Sequence, residues 1–277
     1  MDRQYLDDDD RLQRRFEIER ELAGRLRGAS KEQRRALYSE VYREFYDRVD
    51  LPGDAEAQRQ QVPLLIQLLE PFLGGVGSFL EIGAGRCDLS REIATRVGRV
   101  WAVDAVEPEG RAEEPPVSFE FVHADRLSEV IPHGSVDLAL SCHLVEHLHP
   151  EDLADHLAEV LRLLAPGGAY VVVTPSRLYG PHDVSGVFGD DLQGFHLFEY
   201  LHADLAARMR RAGFRRVGAI RRLGVRPSRG ALSLISAVER VADALPVRAR
   251  RALAARAPRE APFRPLEQVK LVGRKPG

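Results

Sequence analysis

The stretch Leu80-Glu81-Ile82-Gly83-Ala84-Gly85, entered through Ser78-Phe79 and left through Arg86-Cys87-Asp88-Leu89, decides how the rest of the chain is read. An apolar run meets a glycine pair and a helical pattern follows, as expected of a buried strand that turns sharply into a helix. From Ser78 onward, short apolar runs alternate with amphipathic stretches, the pattern of parallel strands covered by helices on both faces. Strands are predicted at 79–82, 100–103, 119–122, 136–141 and 169–174, with weaker ones at 215–220 and 268–272 and helices near 86–97, 151–164 and 203–212. The helix at 151–164 is expected to stop at Ala165-Pro166-Gly167-Gly168, because proline cannot continue it and glycine can adopt a left-handed cap. The expected fold is α/β, a Rossmann-like doubly wound sheet.

Ahead of this core, residues 11–49 are charged with apolar positions at helical spacing, and 55–70 read as a further helix ending before Pro71. A helical N-terminal cap is therefore expected over 1–72 and the core domain over 73–277. An inserted helical segment near 228–262 is marked by the amphipathic set Leu232, Leu234, Ile235, Val238, Val241 and Leu245. Tyr38, Tyr42 and Tyr46, at four-residue spacing in the cap, read as a packing stripe.

Composition narrows the function classes. The 277 residues are 44% hydrophobic, enough for a large core. The chain has no run of about 18 apolar residues, and Met1 to Asp10 is acidic, so neither a membrane span nor a signal peptide is expected and a cytoplasmic location is. Cys87 and Cys142 alone cannot build a disulfide framework or a four-cysteine zinc site. The net charge of −2 hides an asymmetry: residues 208–277 hold 19 Lys and Arg against 4 Asp and Glu, and residues 1–207 hold 21 against 38. A basic end could draw a phosphate-bearing substrate, or rest an amphipathic helix at 231–257 on an anionic membrane surface. Nucleic acid is not an expected partner, because no aromatic stacking platform accompanies the arginines.

The glycine loop raises the question of its ligand. A dinucleotide fingerprint would place a third small residue at 88 and avoid a carboxylate at 81 facing a pyrophosphate, whereas this chain has Asp88 and Glu81. Both acids disfavour an NAD-dependent oxidoreductase and suit a ligand carrying a sulfonium and an ammonium. Asp104, 19 residues after Gly85 at the end of the next strand, can accept ribose hydroxyls. Asp125, after the strand at 119–122, can accept from an adenine amino group. Three acids at successive strand ends point to S-adenosyl-L-methionine.

Phe79-Leu-Glu-Ile-Gly-Ala-Gly85, Val100-Trp-Ala-Val-Asp104, the run Val136–His147 and Leu161-Arg-Leu-Leu-Ala-Pro-Gly-Gly168 together resemble the class I S-adenosylmethionine-dependent methyltransferases. The group most resembled is the methyltransferase type 11 set that includes the ubiquinone-biosynthesis O-methyltransferases. The resemblance spans roughly 60–223 and implies a seven-stranded sheet with the last strand antiparallel. It implies a cofactor pocket lined by Glu81, Gly83, Ala84, Gly85, Asp88, Asp104, Ala105, Asp125, Arg126, Ser141, Cys142 and His143. About 40 residues separate the last two predicted strands where the family has a short hairpin, a departure placed to shape the substrate site.

Since a sulfonium methyl is already activated, the protein's task is to align the acceptor and take its proton. Candidate bases are His147 first, then His143 and His182, where the fourth and fifth strands open. The spacing His143-x-x-Glu146-His147 also matches a zinc-peptidase pattern, but that chemistry needs the motif inside a helix, and no metal is expected. Between strand and helix, residues 175–200 look substrate-facing, with Arg177, His182 and His196 as site candidates, while Phe195, Phe198 and Tyr200 are expected to pack on the core. The expected reaction is methylation of a small-molecule or sugar-containing acceptor at oxygen. Nitrogen or carbon methylation is an alternative, and a non-catalytic nucleoside-binding protein is a reading of another class.

Overall fold

Runs of β-branched and aromatic residues that can be buried on both faces become the strands, and amphipathic stretches between them become the covering helices. The computed structural model describes residues 3–49, 54–107, 119–220, 227–256 and 266–277. In chain order the first half holds α1 (Arg3–Gly28), α2 (Lys31–Arg48), α3 (Asp54–Leu73), β1 (Ser78–Ile82), α4 (Asp88–Ile93), β2 (Arg99–Asp104), β3 (Phe119–His123), α5 (Leu127–Val130) and β4 (Val136–Cys142). There follow α6 (Leu153–Leu163), β5 (Leu164–Pro175), α7 (Ser185–Phe188), α8 (His202–Ala212), β6 (Arg215–Ala219), α9 (Arg229–Asp243), α10 (Val247–Arg256) and β7 (Gln268–Arg274).

The sheet runs β3-β2-β1-β4-β5-β7-β6. Strands β1 to β5 pair in parallel, and β7 lies antiparallel between β5 and β6. Strand order reverses between β1 and β4, and a crevice opens there above the carboxyl ends of the strands. Successive residues alternate between the two faces. Leu80, Ile82, Trp101 and Val103 pack with α6, α8 and α9, whereas Phe79, Val100, Leu138 and Leu140 pack with α3 and α4.

One expected break is absent, and one strand starts earlier than expected. Helix α3 continues through Pro71 to Leu73, because Leu68, Leu69 and Phe72 bury against Leu89 and Ile93, offsetting a cost of about 3 kcal/mol for a proline inside a helix. Helix α6 does end before Pro166, but β5 begins at once and carries Pro166-Gly167-Gly168 as a bulge. The pairs Val136↔Leu164 and Leu138↔Ala169 set five residues of β5 against two of β4. A Cβ on Gly168 would lie 2.9 Å from the carbonyl oxygens of Ala165 and Val136, which explains glycine there.

Helices α1 and α2 form their own apolar layer with Phe195 and Leu197 of the segment after β5. Buried Arg34 of α2 reaches across to the loop after β4, its Nε 2.7 Å from Asp152 Oδ2 and its Nη2 2.7 Å from Glu151 Oε2. Arg27 donates to the carbonyls of Gln193, Gly194 and His196. The described part of the long connection between β6 and β7 folds as α9 and α10, with buried Glu239 of α9 accepting from His202 Nδ1 at 2.7 Å; residues 257–262 of the expected insert lie outside the described residues. No described helix is long and apolar enough to cross a membrane.

Candidate active site

The turn after β1 is built by left-handed residues: Gly83 at φ 77°, Gly85 at φ 49° and, at the start of α4, Cys87 at φ 62°. The Gly83 and Ala84 amides donate to Val103 O, and a Cβ on Gly83 would meet the Leu144 side chain at 3.2 Å, so the turn is pinned between β2 and the β4 loop. Glu81 is buried beneath it and accepts from Ser90 Oγ. Burial pushes its carboxyl up to about 7, against the lowering effect of the Ser90 bonds. Asp104 accepts from the Gly85 and Ala105 amides at 2.7 Å each, so the acid at the end of β2 also holds the glycine loop. Asp88 Oδ2 is buried and accepts no hydrogen bond among the described residues, though Arg86 Nε forms an ion pair with it at 3.7 Å.

Glu81, Asp88 and Asp104 border one cavity of about 1090 Å³, with Gly83, Ala84, Gly85 and Ala105 in its wall. Three carboxylates, one of them with a buried oxygen that accepts no hydrogen bond among the described residues, suit a cationic ligand and repel a pyrophosphate, so the residues present fit S-adenosyl-L-methionine. Cys142, a free thiol raised above its usual range by burial, and His143 lie at the cavity's β4 edge. Two members of the expected set stand elsewhere. Ser141 is buried with its hydroxyl 2.6 Å from Tyr170 Oη, because successive residues of β4 face opposite sides of the sheet. Arg126 is exposed and pairs with Glu129. The side chain of Asp125 lies outside the described residues, although the backbone of Ala124–Arg126 forms a short turn of 3₁₀ helix there.

The cap supplies walls that the spacing argument gave to packing. Tyr38, Tyr42 and Tyr46 all border the cavity, and Tyr38 Oη is 2.8 Å from Asp152 Oδ2. Tyr42 does both, since its ring also stacks on Phe195. Gln58 of α3 lies over the glycine loop, 3.4 Å from where a Gly85 Cβ would stand.

The histidines fall into two groups. His143, in the left-handed region at φ 54°, places Nδ1 3.2 Å from Glu146 Oε1. Glu146 is fully buried and also accepts from Thr174 Oγ1 at 2.8 Å. Burial favours its neutral form, but the His143 bond and the imidazoles of His147 and His196 hold it down to about 2. His147 borders the large cavity, and its Nδ1 meets Phe195 O at 3.1 Å. Burial, reinforced by His196, lowers His147 to about 4, so its ring is neutral at pH 7. His182 is not in that cavity. Its Nε2 bonds Ser176 O, and it borders a second cavity of about 590 Å³ together with His196, whose Nδ1 is 2.7 Å from Glu199 Oε1. His143 alone among these histidines lies on both cavities. Glu146, His147 and His196 each offer a ligand atom within 4.8 Å of the others, an oxygen and two nitrogens, outside any α-helix. Arg177 pairs with Asp204 and Asp243 and belongs to neither cavity.

Comparison with known proteins decides what this crevice belongs to. Residues 79–168, from β1 through the β5 bulge, match the family of methyltransferase domains. Residues 79–168 are those of a methyltransferase domain. A probable S-adenosylmethionine-dependent methyltransferase of Mycolicibacterium smegmatis is 33% identical over 141 residues, 49% of this chain and 51% of that protein. Phosphoethanolamine N-methyltransferase 1 of Zea mays is 29% identical over 140 residues, 48% of this chain and 27% of that one. The chain thus spans about half the length of the first relative and about a quarter of the second. In fold, it is similar to Burkholderia thailandensis 1,6-didemethyltoxoflavin-N1-methyltransferase, solved with its acceptor and S-adenosylhomocysteine, at a TM-score of 0.57 and 21% identity over 90% of this chain and 92% of that one. The methyltransferase domain accounts for the glycine loop and its acids. The cap walls lie outside the matched residues, whereas the His143–Glu146 pair lies within them.

Proposed function

We propose that this protein transfers the methyl group of S-adenosyl-L-methionine to a small-molecule acceptor at a hydroxyl oxygen. The observation that carries the reading is the cluster of Glu81, Asp88 and Asp104 around one cavity at the sheet's switch point. When bound, the cofactor supplies an activated methyl on a sulfonium, so no further electrophile is required. Glu81 and Asp88 attract its cationic end, and Asp104, already anchored by Gly85 and Ala105 amides, keeps lone pairs for ribose hydroxyls.

Of the three histidines considered as bases, His143 is favoured. Glu146 accepts a hydrogen bond from its Nδ1–H, which directs the lone pair to Nε2; there the long 3.4 Å contact from Gln268 Nε2 gives way to the acceptor hydroxyl as its proton is taken, and the residue borders both cavities. His147 is held neutral and bonded to backbone, and His182 faces the second cavity, so both are assigned to the walls. Nitrogen methylation is a second reading, favoured by the named activities of the Zea mays relative and the Burkholderia thailandensis structure. Incubation with radiolabelled cofactor and a small-molecule cell extract tests both. The wild type releases S-adenosylhomocysteine, and His143→Gln lowers turnover of a hydroxyl acceptor about 10²-fold or more. An unchanged rate in the variant would remove His143 from the chemistry, and a labelled amine product would favour the nitrogen reading.

A further inference from the structure

The second cavity, of about 590 Å³, opens beside the amino end of β7 and shares only His143 with the cofactor cavity among the residues bordering each. Its wall holds two cations, Arg251 and Lys270, one carboxylate, Glu267, and the imidazoles of His182 and His196. Arg251 is already committed. Its Nε donates to Tyr179 O at 3.0 Å, Nη2 to Gly180 O at 2.7 Å, and Nη1 to Asp190 at 3.1 Å.

Lys270 is not. The sequence holds three lysines, and the other two have partners: Lys31 Nζ is 2.7 Å from Asp155 Oδ2, and Lys275 Nζ donates to the carbonyls of Leu164 and Arg162. The Lys270 ammonium has no hydrogen bond or ion pair among the described residues, although it is only part-exposed in the middle of the sheet. Glu267 is exposed at the rim and outside ion-pair reach. A desolvated ammonium whose counter-charge is an exposed carboxylate beyond ion-pair reach is costly, and burial pushes it below the usual lysine range against the weaker opposing effect of Glu267. An anion in the cavity would remove that cost. Register places it well: Lys270 pairs with Val173 of β5, which pairs with Cys142 of β4, one residue before His143.

We infer that the second cavity is the acceptor's anchoring subsite and takes a small organic anion, its carboxylate or phosphate held by Lys270 while its nucleophile reaches past His143 toward the cofactor cavity. This rests on the methyltransferase reading for the word acceptor, but anion binding at Lys270 is measurable without turnover. Lys270 positions the substrate and touches no reacting atom.

Wild-type protein is treated with formaldehyde and a borane reductant, and methylation at the three lysines is read by peptide mass spectrometry with added inorganic phosphate, benzoate or neutral benzamide. Phosphate or benzoate lowers modification of Lys270 at least threefold while Lys275 is unchanged, and benzamide gives no protection; which anion protects distinguishes a phosphate-bearing acceptor from a carboxylate-bearing one. In parallel, calorimetry follows Lys270→Met and Lys270→Arg. Loss of a buried charge partner predicts anion affinity weakened about thirty-fold in Lys270→Met and kept within a few-fold in Lys270→Arg, with S-adenosylhomocysteine affinity unchanged in both. Equal protection by benzamide, no protection by either anion, or wild-type anion affinity in folded Lys270→Met would overturn the assignment. Failure of the wild type to bind S-adenosylhomocysteine would instead count against the methyltransferase reading and leave the protection result to decide the subsite. If Lys270→Met does not fold, the protection measurement on wild type decides alone.

Discussion

Glu81 is the residue whose charge most depends on its surroundings. Its carboxyl titrates near 7 in the folded chain against 4.5 for the free side chain, chiefly through burial. Between those values the folded protein holds a proton that the unfolded chain has lost, so this group's contribution to stability falls as pH rises through the window. Binding a cation has the opposite slope, because only the carboxylate attracts it. Affinity for S-adenosylhomocysteine, which keeps the ammonium, is expected to rise about tenfold from pH 6 to pH 8 in calorimetric titrations, and Glu81→Gln to bind weakly with a flat profile. A wild-type affinity independent of pH would detach Glu81 from the ligand. Glu81 and Asp104 stood out in the sequence because they sit near strand ends, where position fixes which way a short side chain can reach, whereas Asp88 opens α4. Of the expected run Ser141, Cys142 and His143, Ser141 lies off the cavity, since a one-residue step along β4 turns a cavity neighbour into a partner of Tyr170.

At the scale of the element, the bulge in β5 converts a helix-stopping signal into part of a strand. Gly168→Ala would press a methyl to 2.9 Å from two carbonyl oxygens, and the expected loss is about 1–3 kcal/mol, read as a lower midpoint in urea with an unchanged slope. An unchanged midpoint would mean that the bulge yields at little cost. The strands themselves were plain from their apolar runs, which are buried on both faces and carry the signal residue by residue. Pro71 was misread because local propensity argues for a break, while the partners that bury Phe72 lie further along the sequence and outweigh it; Pro166-Gly167-Gly168 was read correctly as the end of a helix, but its pairing with β4, which starts β5 early, was not legible. The tyrosines of α2 were read as packing because spacing gives a face and not what that face meets.

For the molecule as a whole, the central arrangement is a cap of helices closed over the switch point of the sheet. Arg34 carries much of that closure, buried and bonded to Asp152, Glu151 and Ala29 O. Removing the buried guanidinium leaves part-exposed Asp152 with Tyr38 Oη and frees exposed Glu151 to water, so Arg34→Met is expected to cost about 1–3 kcal/mol and to weaken cofactor binding together with stability. A variant that lost stability while keeping full cofactor affinity would show the cap to be dispensable for the cavity. None of this closure was visible in the sequence, where Arg34 is one of 37 arginines and its partners lie more than a hundred residues away. The most direct test of the central claim, that three carboxylates at the switch point select a cationic nucleoside, is calorimetric titration of the full chain with S-adenosylhomocysteine and, separately, with NADH. Saturable binding of S-adenosylhomocysteine with none of NADH is the expected result. Binding of NADH without S-adenosylhomocysteine would contradict it.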